Sequence, residues 1–337
     1  MDLFHTYVNK TAITLSEDPA VGEIMATAAV DIALKNEFVL HIMLCLAALH
    51  RCATGSFGDT GEALSLLEAA SDHQNLSMAL FRQSITTVTS ENAEAVFLFT
   101  IMTSWSLYSS HNERLRLQHE LEAGEKGQLA HSGWMRTLRG STAVFGHGID
   151  LRDWLGADSP LLMLIPYRCA FSPAVPEDNE WAQSAMHTFT KLAAHFTEEQ
   201  PTLHEATIYL VACLAQMCVA QMTLDSGRTI ISGEGDENSR ISARPSSYCL
   251  SWIFHVSVGF LDLLDDVEPG ALVVLAHFGV LIHSLRQEWC LGGLGKAVTE
   301  ACDEALQASG NDSWLEWMNW PRETIRDLDE HRLRMHD

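Results

Sequence analysis

Every long apolar segment of this chain has helical spacing and none alternates as a strand would, which constrains the fold more than any other feature. "DPAVGEIMATAAVDIALKN" opens with Asp18-Pro19, a capping residue followed by a first-turn proline. "SDHQNLSMALFRQSITTV" starts at Ser71, a second cap candidate, and places Leu76, Ala79, Leu80 and Phe81 at helical spacing. In "SENAEAVFLFTIMTSWSLY", Glu91 and Glu94 fall in the first turn, where the helix dipole favours acids. "SGWMRTLRGSTAVFGHGIDLRDWL" reads as helical up to its glycines. "EWAQSAMHTFTKLAAHF", "EATIYLVACLAQMCVAQMTLD", "SYCLSWIFHVSVGFLDLLDD" and "PGALVVLAHFGVLIHSLRQEW" continue the pattern. "RTIIS" and "ITTVT" are strand-like but short, and hairpin turn chemistry flanks neither. The fold class expected is all-α, a single large helical domain over residues 1–337 with hinges between two lobes near 175 or 235. Mobile loops are expected at 111–131 and 225–247, and a proline-bearing connection at 172–180.

Charge and cysteine usage narrow the function. With 44 acids against 21 bases the formal charge is −23, a surface that repels phosphate backbones and anionic membranes. Direct nucleic-acid binding is therefore not expected. The eight cysteines, at 45, 52, 169, 213, 218, 249, 290 and 302, include no C-x-x-C pair and sit mostly in apolar runs. That fits a reducing compartment, nucleus or cytoplasm, rather than a disulfide scaffold. The N-terminus "MDLFHTYVNK" has no basic-then-apolar signal, and no apolar run reaches the ~20 residues of a spanning helix.

Five stretches are candidates for chemistry. In "FVLHIMLCLAALHRC" (38–52), His41, Cys45 and Cys52 fall within about 40° of one helical stripe, which invites a zinc reading. Yet Cys45 and Cys52 lie ~10 Å apart along the axis, too far for one ion. A buried helix is expected, and no metal. "LDLLDDVEPG" holds Asp262, Asp265, Asp266 and Glu268. Such carboxylates can share magnesium and bind a diphosphate, as in class I terpene cyclases. Here the spacing is one residue short, and acids ahead of Pro-Gly also make an ordinary helix end and restart. "WCLGGLGKAV", with Gly292, Gly293 and Gly295, is not G-x-G-x-x-G, and "GSFGDTG" (55–61) lacks the Lys and Ser/Thr of a P-loop, so no cofactor is implied. Trp314, Trp317 and Trp320, three residues apart, form an apolar stripe that packs on the domain, walls a ligand or faces a partner.

Several stretches, taken in order, resemble one family. "LFHTYVNKTAITLSEDP", "FVLHIMLCLAALH", "SDHQNLSMALFRQSITTVTSENAEAVFLFTIM", "GWMRTLRGSTAVF", "PGALVVLAHFGVLI", "EWCLGGLG" and "WLEWMNWPRETI" look like successive segments of the regulatory domain of fungal binuclear zinc-cluster transcription factors of the sterol-uptake-control type. The resemblance implies an all-helical domain whose apolar pocket binds a sterol or other lipophilic metabolite, with occupancy controlling transcription or nuclear entry. It also implies a regulatory role for the turn Gly292-Gly293. The family's six-cysteine cluster and basic linker have no counterpart here, which implies an isolated domain or a protein that has lost its DNA-binding part.

Two functions compete at this stage. The first is a ligand-sensing regulator whose pocket is lined by His41, Cys45, His277, Phe278, Trp289, Gly292 and Gly293. Its partners are a lipophilic small molecule, other regulatory proteins and a second copy of itself. The alternative is an enzyme of fungal secondary metabolism, a cyclase or isomerase of a polyketide or terpenoid. Its candidate groups are His41, His255, His277, His283, Asp265 and Asp266.

Overall fold

Capping groups set many of the helix boundaries in the structure, a computed structural model that describes residues 2–16, 18–55, 60–117, 127–142, 154–164, 175–196, 199–225, 230–231, 240–241, 245–310 and 312–334. The fold is all-α apart from one two-residue ladder. By Cα proximity the chain divides into two compact units. The first comprises Met1–Leu117, Leu138–Arg168 and Thr223–Arg244; the second comprises Gln118–Thr137, Cys169–Met222 and Pro245–Asp337.

In the first unit, α1 (Asp2–Thr6) continues through a wide turn, Tyr7–Thr11, and a tight one, Ala12–Thr14. Asp18 then caps α2 (Pro19–Ala26) by accepting from the Ala20 amide at 3.0 Å, with Pro19 in the first turn. After α3 (Ala28–Ala33) come the three long helices, α4 (Glu37–Thr54), α5 (Thr60–Ser84) and α6 (Ala93–Leu117). α4 buries Phe38, Ile42, Leu46 and Leu49, and α5 answers with Ala63, Leu66 and Ala70 at helical spacing. Phe81 stacks on Phe99 at 4.3 Å, and Phe38 meets each ring edge-on at 5.5 Å.

Several boundaries differ from the sequence expectation. α5 starts at Thr60, not at Ser71: the intervening Leu, Glu and Ala residues are strong helix formers, so the helix passes through Ser71. The loop expected at 111–131 begins as helix, because α6 runs to Leu117 with Asn112 and Glu113 buried and bonded to each other. In the loop expected at 225–247, Ile230 pairs with Ile241 and Ile231 with Arg240, antiparallel. Cys169 and residues 56–59, 118–126, 172–174, 226–229, 232–239 and 242–244 lie outside the described residues.

Helix lengths also exceed the apolar runs. α4 and the segment Pro201–Met222 are, by length and composition alone, long enough to cross a membrane. Each gains this length by continuing through polar flanks, in α4 through Glu37, His50 and Arg51. Within the protein, 61% and 56% of their apolar windows are buried.

The second unit includes α7 (Gly133–Thr142) as far as Thr137, α8 (Glu180–His195), α9 (Pro201–Asp225) as far as Met222, α10 (Pro245–His255) and α11 (Val258–Asp265). The single segment expected around 247–266 is two helices bent by 81°. Ser257 adopts an extended conformation there, and its hydroxyl accepts from the Phe260 amide at 3.2 Å, restarting the helix. α12 (Pro269–Ser284) follows and is buried along its length from Gly270 to His283. α13 (Leu294–Ser309), the short α14 (Asp312–Leu315) and α15 (Asn319–Arg334) complete the unit.

Two backbone features hold α12 in place. At its start, Val267 takes φ +56, a left-handed position that glycine usually fills. The Glu268 amide bonds Leu263 O at 2.9 Å and the Val267 amide bonds Leu264 O at 3.1 Å, closing α11 with a Schellman turn. Midway, α12 crosses α13 with the backbones nearly touching. A Cβ on Gly295 would lie 2.3 Å from His283 N and 2.4 Å from Gly279 O, both main-chain atoms that cannot step aside. Thr299 Oγ1, 3.2 Å from Ala276 O and 3.0 Å from Gly295 O, bonds across the crossing.

Gly295→Ala is therefore expected to lower unfolding stability by about 2–3 kcal/mol. Gly140→Ala, with open space around its Cβ position, should raise it by up to ~1 kcal/mol, both read by urea denaturation. Val267→Gly should stabilise by about 1 kcal/mol, because it relieves left-handed strain; an unchanged denaturation midpoint would show that there is no strain at this turn.

Candidate functional site

α12 reads "PGALVVLAHFGVLIHS": it has no charged residue, and its buried histidines are its most polar side chains. A helix apolar on every side has to be enclosed, and enclosure fixes the chemistry of those imidazoles. His277 is fully buried. Its Nδ1 lies 2.7 Å from Val273 O, a carbonyl that can only accept, so Nδ1 carries the proton. Nε2 is then an acceptor, and it has no hydrogen-bond partner among the described residues. Trp320 stacks on the ring at 5.5 Å and 9°, and Phe189 meets it edge-on at 6.0 Å. Burial lowers the His277 pKa to about 4, outweighing the upward pull of the Val273 carbonyl, so the ring is neutral at pH 7. A buried acceptor left unfilled costs roughly 1–3 kcal/mol.

His283, also buried, donates from Nε2 to Asp329 Oδ1 at 3.0 Å, and among the described residues its Nδ1 has no partner. Burial lowers its pKa even though Asp329 favours the charged form. Lys296 Nζ reaches the other oxygen of Asp329 at 2.9 Å. Asp329 lines a groove of about 330 Å³ between α13 and α15, which Lys296, Asp303, Arg322 and Ile325 also line. Arg322 and Asp303 pair across it. These opposite charges satisfy one another, which leaves the groove little net attraction for an ion of either sign.

The acid run "LDLLDDVEPG" has structural work. Asp265 accepts from the Ser132 amide at 3.0 Å and the Ser132 hydroxyl at 2.8 Å, and Arg136 bridges Asp265 at 3.1 Å and Asp262 at 2.6 Å. Burial opposes ionisation of Asp265, but Ser132 and Arg136 hold its carboxyl below the usual range. Glu268 caps α12 by accepting from the Ala271 amide at 2.7 Å. Asp266 is exposed at the end of α11.

The other candidates are spread through the two units. In the first, His41 is half-buried with its Nδ1 2.9 Å from His73 Nδ1 on α5, so one ring donates and the other accepts. Cys45 is buried, and burial pushes its thiol up to about 12, with only partial relief from a bond to Ser106. In the second, Phe278 stacks on Trp252 at 4.2 Å and His255 Nδ1 bonds Ser251 O at 2.7 Å. Trp289 is half-buried in the turn after α12, Gly292 takes φ +28 and Gly293 precedes α13. The expected lining set is thus divided, with His41 and Cys45 in one unit and the remaining residues in the other. Among the described residues, no three His, Cys, Asp or Glu side chains group so as to hold a metal ion.

The tryptophan stripe splits by role. Trp320 covers His277, whereas Trp314 and Trp317 flank His195 at 5.5 and 5.0 Å. Sequence reasoning missed Asp329, Arg136, His73 and Phe189, whose partners lie 46, 129, 32 and 88 positions away. Local spacing carries no signal of such pairs. Comparison with protein-family models, curated proteins and solved structures finds no match to this chain.

The neutral His277 makes stability depend on pH. Between its ordinary pKa of about 6.5 and the folded value of about 4, the unfolded chain binds the extra proton, so stability is lost as pH falls through that window. The loss from His277 alone should be on the order of 3 kcal/mol, and His277→Phe should remove that part of the slope in urea titrations at pH 7, 5.5 and 4.

Proposed function

We propose that this chain is a ligand-responsive regulatory domain of the nucleus or cytoplasm. It binds a sterol-like lipophilic metabolite and acts through other regulatory proteins rather than on nucleic acid. The observation that carries this reading is α12, an uncharged helix enclosed on every side that holds neutral imidazoles with ring nitrogens unmet among the described residues. An apolar interior with a few polar points left open is suited to a lipophile, which supplies apolar surface and one or two hydrogen bonds. The formal charge of −23 supports the exclusion of nucleic acid.

Ligand binding is expected to raise the thermal midpoint of the purified chain. With ergosterol or cholesterol at 100 times Kd, the gain should be about 2.7 kcal/mol. No shift with sterols or polyketides would end the proposal. In cells, deletion should change transcript levels. Unchanged transcripts with an accumulating polyketide or terpenoid intermediate would instead favour an enzyme, a cyclase or isomerase.

A further inference from the structure

His277 sets a narrow chemical demand. Nδ1 is committed as a donor to Val273 O, so Nε2 presents a lone pair and nothing else. The rings packed on it cannot satisfy that lone pair. Phe189 has no donor, and the Trp320 indole N–H is already given to Ser184 Oγ at 3.0 Å. Among the described residues Nε2 has no partner, although the side chain is wholly buried. A bound ligand can supply the donor that the described residues do not.

The route to it is short. Trp320 is half-exposed and lies parallel on the His277 ring, so a residue in contact with the imidazole also reaches solvent. Apart from Ser184, the Trp320 ring is held by its stacking on His277 and its edge contact with Phe189 at 5.6 Å. It can be displaced without breaking an ion pair.

We infer that His277 Nε2 accepts a hydrogen bond, in the plane of its ring, from the hydroxyl of a neutral lipophile whose flat body rests against Phe189 and the indole of Trp320. This assignment rests on the lipophile reading above and narrows it to alcohols. A carboxylate brings only acceptors to a lone pair, and α12 offers no cation to offset a buried negative charge. An ether or a plain hydrocarbon fits the aromatic walls but leaves Nε2 unmet.

The test compares cholesterol with its 3-O-methyl ether on the full chain, with binding followed by tryptophan fluorescence and calorimetry. The alcohol should bind about tenfold more tightly than the ether, the effect of one hydrogen bond. His277→Phe should bind both with equal affinity, and His277→Gln, which restores an acceptor, should recover part of the preference. Equal affinities in the unaltered chain would overturn the assignment and give Nε2 to an internal water, leaving the lipophile reading intact. A preference that persists in His277→Phe would overturn it as well. If neither probe binds, the lipophile reading falls and this assignment with it. The comparison on the unaltered chain needs no variant to fold.

Discussion

The second unit depends on the crossing of α12 and α13, where Gly279 and Gly295 let two backbones approach more closely than any side chain would permit. With no Cβ at the contact, Thr299 can reach a main-chain carbonyl on each helix. That contact seals one flank of α12, while Trp252, Phe189 and Trp320 close others. A helix with this much apolar surface is stable only when enclosed, and close approach leaves little room for water at the crossing. The unusual state of His277 follows from this. An imidazole in the same sequence on an open surface would titrate normally and find a water for each nitrogen.

The sequence was most informative where structure is local. Asp18-Pro19 and Glu268-Pro269 mark real helix starts, and the absence of alternating runs correctly indicated an all-α fold. It misled at Ser71, because a residue suited to capping is also tolerated inside a helix when strong helix formers precede it. It also missed the bend at Ser257, since "FHVSVGF" keeps helical spacing across a break that only a side-chain hydroxyl makes favourable. The candidate site was legible in part. That His277 interrupts an apolar run can be seen in one dimension. That Trp320, from the last helix, is the ring covering it cannot, because nothing local couples positions so far apart in the chain.

The acid run shows how a catalytic pattern dissolves in context. Asp262 and Asp265 share one arginine, Glu268 is used as a cap, and Val267 between them takes the backbone conformation that ends one helix before the next begins. Dense acids beside Pro-Gly thus record a tight reversal between two apolar helices, in which the exposed end of α11 carries charge and the start of α12 is already buried.

The contact between His41 and His73 has its own consequence. Two ring nitrogens 2.9 Å apart have room for one hydrogen between them, not two. One ring therefore carries its hydrogen on the bridging Nδ1, and the other presents a bare Nδ1 and carries its own on Nε2. α4 and α5 are joined at that point by a bond with a fixed capacity. It fixes both tautomers at once, because a hydrogen on each Nδ1 would set two N–H groups against each other.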